Sequence, residues 1–172
     1  QSAAETEAHA SSLQGNTGVY MVPAFTGLGA PHWDPDARGA IFGLTRDTGV
    51  AELVRATLES VCYQTADLLQ AMQRDALPPS QLRVDGGMVN NNWLCQFLSD
   101  MLNIPVSRPV ETETTALGAS YLAGLQVGVY DAIEDIENRW QVATRFSPAI
   151  DPGERDACLL GWQQAVSHVL SN

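Results

Sequence analysis

From Ala51 to about Arg74 the apolar residues Leu53, Val54, Leu58, Val61, Cys62, Leu68, Leu69 and Met72 recur near the i, i+3, i+4 spacing of one helix face. The segment after this helix constrains the chain further. Leu77-Pro78-Pro79-Ser80 halts it, because proline lacks an N–H donor and biases the residue before it away from helical backbone. Gln81 to Asp85 (QLRVD) then reads as a short strand and Gly86-Gly87 as a turn. A second amphipathic helix comes next, with Trp93, Leu94, Phe97, Leu98, Met101 and Leu102 on its apolar face and Asn90 or Asn91 as its cap. Helix, strand, glycine turn and helix in that order give an α/β class.

The flanking segments fit the same class. Gly18 to Ala24 (GVYMVPA) has strand composition, and the loop FTGLGAPHWDPDARG after it combines turn-forming Gly and Pro with Phe25 and Trp33, aromatics expected to pack it. Ala40 to Leu44 is a short strand or a buried loop exit. Ile104 to Val110 (IPVSRPV) reads as a strand near a sheet edge, since Pro105 and Pro109 cannot both donate to a central ladder. Glu113 to Val127 reads as a helix whose small face, Ala116, Gly118, Ala119, Ala123 and Gly124, suits close packing. Asp151-Pro152-Gly153-Glu154 supplies a cap, a proline at the first helical position and a carboxylate at the third, opening a last helix through Leu170. The opening QSAAETEAHASS shows no amphipathic period. It is set apart as a polar segment, 1–17, from a domain over 18–172, with a linker-like break near Asn16 and no internal repeat.

Charge narrows the function classes. With a net charge of −11 the chain lacks the clustered Lys and Arg of a nonspecific nucleic-acid binder, although backbone N–H groups and Mg²⁺ can still meet a nucleotide's phosphates. Cys62, Cys95 and Cys158 are odd in number and scattered in apolar surroundings, which predicts buried reduced thiols, and His9, His32 and His168 form no metal-binding pair. No apolar run reaches the roughly 18 residues of a membrane span and no signal peptide is evident, so the expectation is a cytoplasmic protein without membrane or nucleic-acid partners. Glu111 with Glu113, and Glu134, Asp135 and Glu137, lie in polar surroundings that predict solvated faces. No activated nucleophile or Walker-type GxxxxGK is present. The start at Gln1 suggests a piece of something longer.

The order of residues in the loop is too particular for ordinary turn chemistry. FTGLGAPHWDPDARG, then Gly39-Ala40-Ile41-Phe42-Gly43-Leu44, Glu52-Leu53 and Ala56-Thr57-Leu58-Glu59, with RVDGG and TALGASYLAG further on, resembles the C-terminal part of glycerol kinases in the FGGY carbohydrate kinase family. The resemblance runs from about Gly18 to Leu170. It implies part of an actin-like ATPase (ribonuclease H-like) C-terminal lobe, lacking that lobe's first three antiparallel strands. Read without the resemblance, the Asp85-Gly86-Gly87 turn allows either a phosphate approached by backbone or a turn that needs glycine for geometry alone. The resemblance implies the first, with Gly87 contacting the nucleotide's phosphates through its backbone and Asn91 reaching the adenine or ribose edge. Asp85 and Gly86 either join them or serve the turn. Phe25, Trp33, Asp34 and Arg38 are read as holding the loop's shape.

The resemblance also implies what lies elsewhere. The Asp that acts as base, the Gln-Gln after it, the Arg-Glu pair and the Tyr that hold glycerol belong to an earlier segment, and those motifs do not occur here. The expected partners are therefore ATP or ADP with Mg²⁺, and glycerol only through that earlier segment. The chain alone is expected to be inactive. Other readings kept open are a non-catalytic nucleotide-binding or assembly module, and a kinase for another sugar or polyol. The strand near Leu82 to Val84 is expected to have one open edge, covered either by self-association or by the GVYMVPA segment.

Overall fold

The computed structural model describes residues 3–73, 77–137 and 139–171. Their order is α1 (Ala3–Ser11), β1 (Tyr20–Val22), β2 (Ala40–Phe42), α2 (Val50–Met72), β3 (Leu82–Arg83), a 3₁₀ turn (Gly87–Asn90), α3 (Asn92–Leu102), β4 (Val106–Pro109), α4 (Thr114–Gln126), α5 (Ile133–Glu137), β5 (Val142–Phe146) and α6 (Pro152–Ser167). The long helix, the strand and the capped second helix stand where the sequence puts them, and α2 ends at Met72, ahead of Leu77-Pro78-Pro79-Ser80. Arg74 lies outside the described residues.

α2 and α3 form the centre of the molecule. Their meeting faces bury Leu58, Cys62, Tyr63, Leu94, Phe97 and Leu98. α6 closes this core with Trp162, whose ring stacks on Tyr63 at 5.5 Å while Phe97 meets Tyr63 edge-on at 5.7 Å. The indole N–H of Trp162 donates to Asp67 at 2.7 Å, so the large ring is buried without leaving its polar atom unpaired. The three cysteines are free and buried, as expected.

Two small sheets flank the helices. β1 and β2 pair antiparallel, Tyr20 opposite Phe42, and Gly43 at the exit has φ of +78°. A Cβ at Gly43 would run into the carbonyl of Gly18, which leaves glycine as the residue for that position. In the other sheet β3 pairs parallel with β4, and β4 pairs antiparallel with β5.

Several expectations need correction. β4 is the central strand and not an edge: Pro105 precedes it and offers only its carbonyl, to Leu82 N–H, while Pro109 sits at a register shift where the ladder is already interrupted. The GVYMVPA strand does not cover β3, because its partner is β2. Among the described residues β3 pairs with β4 alone. The small face of α4 is not closely packed: Ala116, Ala119 and Ala123 are not buried, and Gly124 is the one buried residue, lying against Tyr130.

The polar opening also differs from its reading. It forms α1, which packs on α2 and α3 and fully buries Ala10. Asn16, expected to mark a break, donates to the Glu59 carboxylate at 2.7 Å. Glu59 is 1% exposed and accepts in addition from Arg55 Nε at 2.7 Å and Tyr63 Oη at 3.1 Å. Burial pushes its carboxyl up from the ordinary range, against the pull of the Arg55 guanidinium. Arg55 also donates to the Leu13 carbonyl at 2.9 Å and lies over the Trp93 ring, so this network ties the segment after α1 to both central helices.

Candidate nucleotide-binding site

The turn after β3 is built by its neighbours on β4 and α4. Gly86 adopts φ of +86°, a conformation that glycine takes without penalty, and its N–H donates to the Thr112 carbonyl at 2.8 Å. The Asp85 carboxylate accepts a hydrogen bond from Thr114 Oγ1 at the start of α4. The chain then turns through Gly87–Asn90, with Val89 N–H returning to the Gly86 carbonyl. Asp85 and Gly86 are thus engaged within the turn.

Beyond them the backbone is open. A Cβ built at Gly86 or Gly87 would meet no heavy atom within 4 Å. The N–H groups of Gly87 and Met88 have no partner among the described residues, and both residues are exposed. Consecutive unpaired N–H groups at an exposed turn suit the oxygens of an anion.

Asn91 stands one turn further on and is only 4% exposed. Its Oδ1 accepts from Leu94 N–H at 2.9 Å, which makes it the N-cap of α3, and its Nδ2 donates to Thr6 Oγ1 of α1 at 3.4 Å. Next to it, Glu7 of α1 accepts from Asn92 N–H and Asn92 Nδ2, each at 3.1 Å. Sequence reasoning missed Thr6, Glu7, Thr112 and Thr114. The first two belong to a segment without apolar periodicity, and all four act across distances that local pattern does not register.

Of two other features, one adjoins this cluster at Thr114 and one lies apart from it. A cleft of about 640 Å³ between β4, α4 and α5 is lined by Arg83, Val110, Thr114, Leu117, Tyr121 and Trp140, and Arg83 lies over the Trp140 ring at 4.1 Å. None of the residues from Asp85 to Asn91 lines it. The loop from Phe25 to Gly39 is held by Asp34 and by Arg38, which donates to the Pro35 and Ala37 carbonyls. Phe25 and Trp33 do not pack it: they are 74% and 75% exposed. Among the described residues no group of three or more His, Cys, Asp or Glu side chains could hold a metal ion, and no helix is long and apolar enough to cross a membrane.

A family model for the C-terminal domain of the FGGY family of carbohydrate kinases matches residues 1–127. The chain is 58% identical to glycerol kinase 1 of Pseudomonas aeruginosa over 167 residues, and 60% identical to a glycerol kinase of Alcanivorax borkumensis over 168 residues; each match covers 97% of this chain. It spans 34% of the length of both relatives. Among solved structures, Plasmodium falciparum glycerol kinase with ADP superposes with a TM-score of 0.84 at 34% identity, covering 98% of this chain and 34% of that one. A ligand-bound xylulose kinase from Lactobacillus acidophilus gives 0.76 at 22% identity over 96% of this chain and 34% of its own, a likeness of fold alone.

Proposed function

This chain belongs to the FGGY family of carbohydrate kinases, and from that premise we propose that it forms the nucleotide-side wall of an ATP-dependent glycerol kinase. The whole enzyme would transfer the γ-phosphate of MgATP to glycerol, giving glycerol 3-phosphate. Glycerol kinases at 58% and 60% identity support the substrate, and the neighbour solved with ADP supports the nucleotide. The Gly39 to Leu44 segment and the Phe25 to Gly39 loop, both part of the resemblance, lie inside the family match. A cytoplasmic location is kept with this reading, in keeping with three free, buried thiols.

The observation that carries the proposal is the pair of N–H groups at Gly87 and Met88 that have no partner among the described residues, beside space that none of the described side chains fills. The empty space around a Cβ position at Gly87 leaves room beside these donors for the oxygens of a phosphate. Asp85 and Gly86 fix the turn, and Asn91 contributes its buried amide at the base of α3, on the nucleoside side. A magnesium ion would be held mainly by the phosphates, since the described residues of this chain bring together no group of carboxylates for it. When bound, the nucleotide supplies the phosphoryl group, while this chain's part is to bind and orient it through backbone donors. The base and the glycerol contacts would come from other parts of the enzyme.

The test is kinetic, in the whole kinase polypeptide. Gly87 has no left-handed φ and room for a side chain, so Gly87→Val is expected to fold and to place its methyls in the phosphate's position. Losing one hydrogen bond to a charged group predicts a rise in the ATP KM of about tenfold or more, with the glycerol KM unchanged. Asn91→Ser, which preserves a cap, is expected to raise the ATP KM modestly. Unchanged ATP kinetics in both variants would show that the nucleotide binds elsewhere.

A further inference from the structure

We propose that Thr6 and Glu7 of α1 are positioning residues for the nucleotide site, acting through Asn91 and Asn92; this rests on the Gly86-Gly87 turn being where the phosphates bind. They lie 85 residues from the side chains they hold. α1 reaches them because Ala10 is fully buried and because Arg55 fixes the Leu13 carbonyl just beyond the helix.

Asn91 has one amide end committed to the α3 cap. The other end is oriented by Thr6 Oγ1. Glu7 grips Asn92 at two points, its first helical N–H through Oε2 and its side-chain amide through Oε1. Two hydrogen bonds to one carboxylate fix direction as well as distance. The start of α3, and with it the end of the preceding turn at Asn90, is therefore held from α1.

The charge of Glu7 adds a second effect. A helix N-terminus attracts anions, and here a carboxylate of the chain itself already occupies that position at α3. Within the Gly87–Asn90 turn itself, the N–H groups without a partner among the described residues are those of Gly87 and Met88. α1 thus selects where along the turn the phosphates sit. The contact is partly exposed, so its share in overall stability is small. Its effect falls on ligand geometry.

The experiment uses the whole kinase polypeptide, with ATP varied at saturating glycerol and glycerol varied at saturating ATP. Glu7→Ala and Thr6→Val are each expected to raise the ATP KM roughly fivefold, the scale of one net hydrogen bond, leaving kcat and the glycerol KM nearly unchanged. Thr6→Ser, which keeps the hydroxyl, is expected to restore the ATP KM. Equal rises in both KM values together with lower thermal stability would reduce α1 to a structural prop and overturn the inference. Gly87→Val, run in parallel, separates the two failures. If it raises the ATP KM while Glu7→Ala and Thr6→Val do not, the inference fails alone; if none of the three does, the site reading fails and the inference with it.

Discussion

Four donors converge on the carboxylate of Asp34: the N–H groups of Asp36 and Ala37 at 2.9 and 3.0 Å on Oδ1, Ser171 N–H at 2.6 Å on Oδ2, and Ser171 Oγ at 2.8 Å. The hydrogen bonds from Ser171 are the largest influence holding this carboxyl below its ordinary range. A depressed folded-state pKa means that the carboxylate stabilises the fold above its unfolded value, and that this share is lost as pH falls through the folded one. Acidification through that depressed value is therefore expected to release the C-terminal segment from the loop. Asp34→Asn should lower the urea midpoint at pH 7 and flatten its fall below about pH 4; an unaltered acid slope would show that another carboxyl governs it. Nothing in the spacing of WDPDARG distinguishes Asp34 from Trp33 as the loop's anchor. An aromatic suggests packing by its size, but Trp33 sits at φ of +52° with its ring in solvent.

At the scale of elements, legibility follows the source of each element's stability. α2 and α3 bury an apolar face, and α3 and α6 carry side-chain caps, so period and capping residues announce them. For α6 the cap is testable: Asp151 accepts from Gly153 N–H at 2.8 Å and Glu154 N–H at 3.3 Å, so Asp151→Ala is expected to cost about 1 kcal/mol in chemical denaturation and Asp151→Asn almost nothing. Equal stability of all three proteins would remove the cap from the account. α1 and β5 are illegible for the converse reason. Among its described contacts α1 is attached by Thr6, Glu7 and the buried Ala10, and β5 buries only Phe146 while its ladder to β4 provides the rest. β4 is legible as a strand but not as a central one, because a proline beside a strand costs a donor only where the partner strand needs it. The site divides in the same way. Its glycines are visible in sequence, whereas Thr114 and Glu7 reach it through contacts 29 and 85 residues apart.

At the scale of the whole molecule, one apolar stripe stands out on a chain whose net charge is −11. Leu53, Val61, Leu68 and Met72 lie exposed along α2 at helical spacing, opposite the side that buries Glu59 and Tyr63. Between them Thr57 and Thr65 donate their hydroxyls to the Leu53 and Val61 carbonyls, each at 2.7 Å, so these two threonines offer no free hydroxyl donor either. β3 adds a second unsatisfied feature. Its Leu82 and Val84 N–H groups go to Pro105 and Ser107 of the β4 side, and because strand residues alternate, the backbone groups of Arg83 face away from β4. Charge is the usual protection of such an edge, yet the Arg83 side chain is turned over Trp140. A polypeptide of these 172 residues alone is thus expected to self-associate with rising concentration, through the α2 stripe and the β3 edge. Light scattering coupled to size-exclusion chromatography would show it as a mass that climbs with loading. Val61→Lys combined with Leu68→Lys should return the chain to monomer without loss of helical circular dichroism, since both residues are exposed. A wild-type chain that stays monomeric across the range would mean that this face is stable in water as it stands.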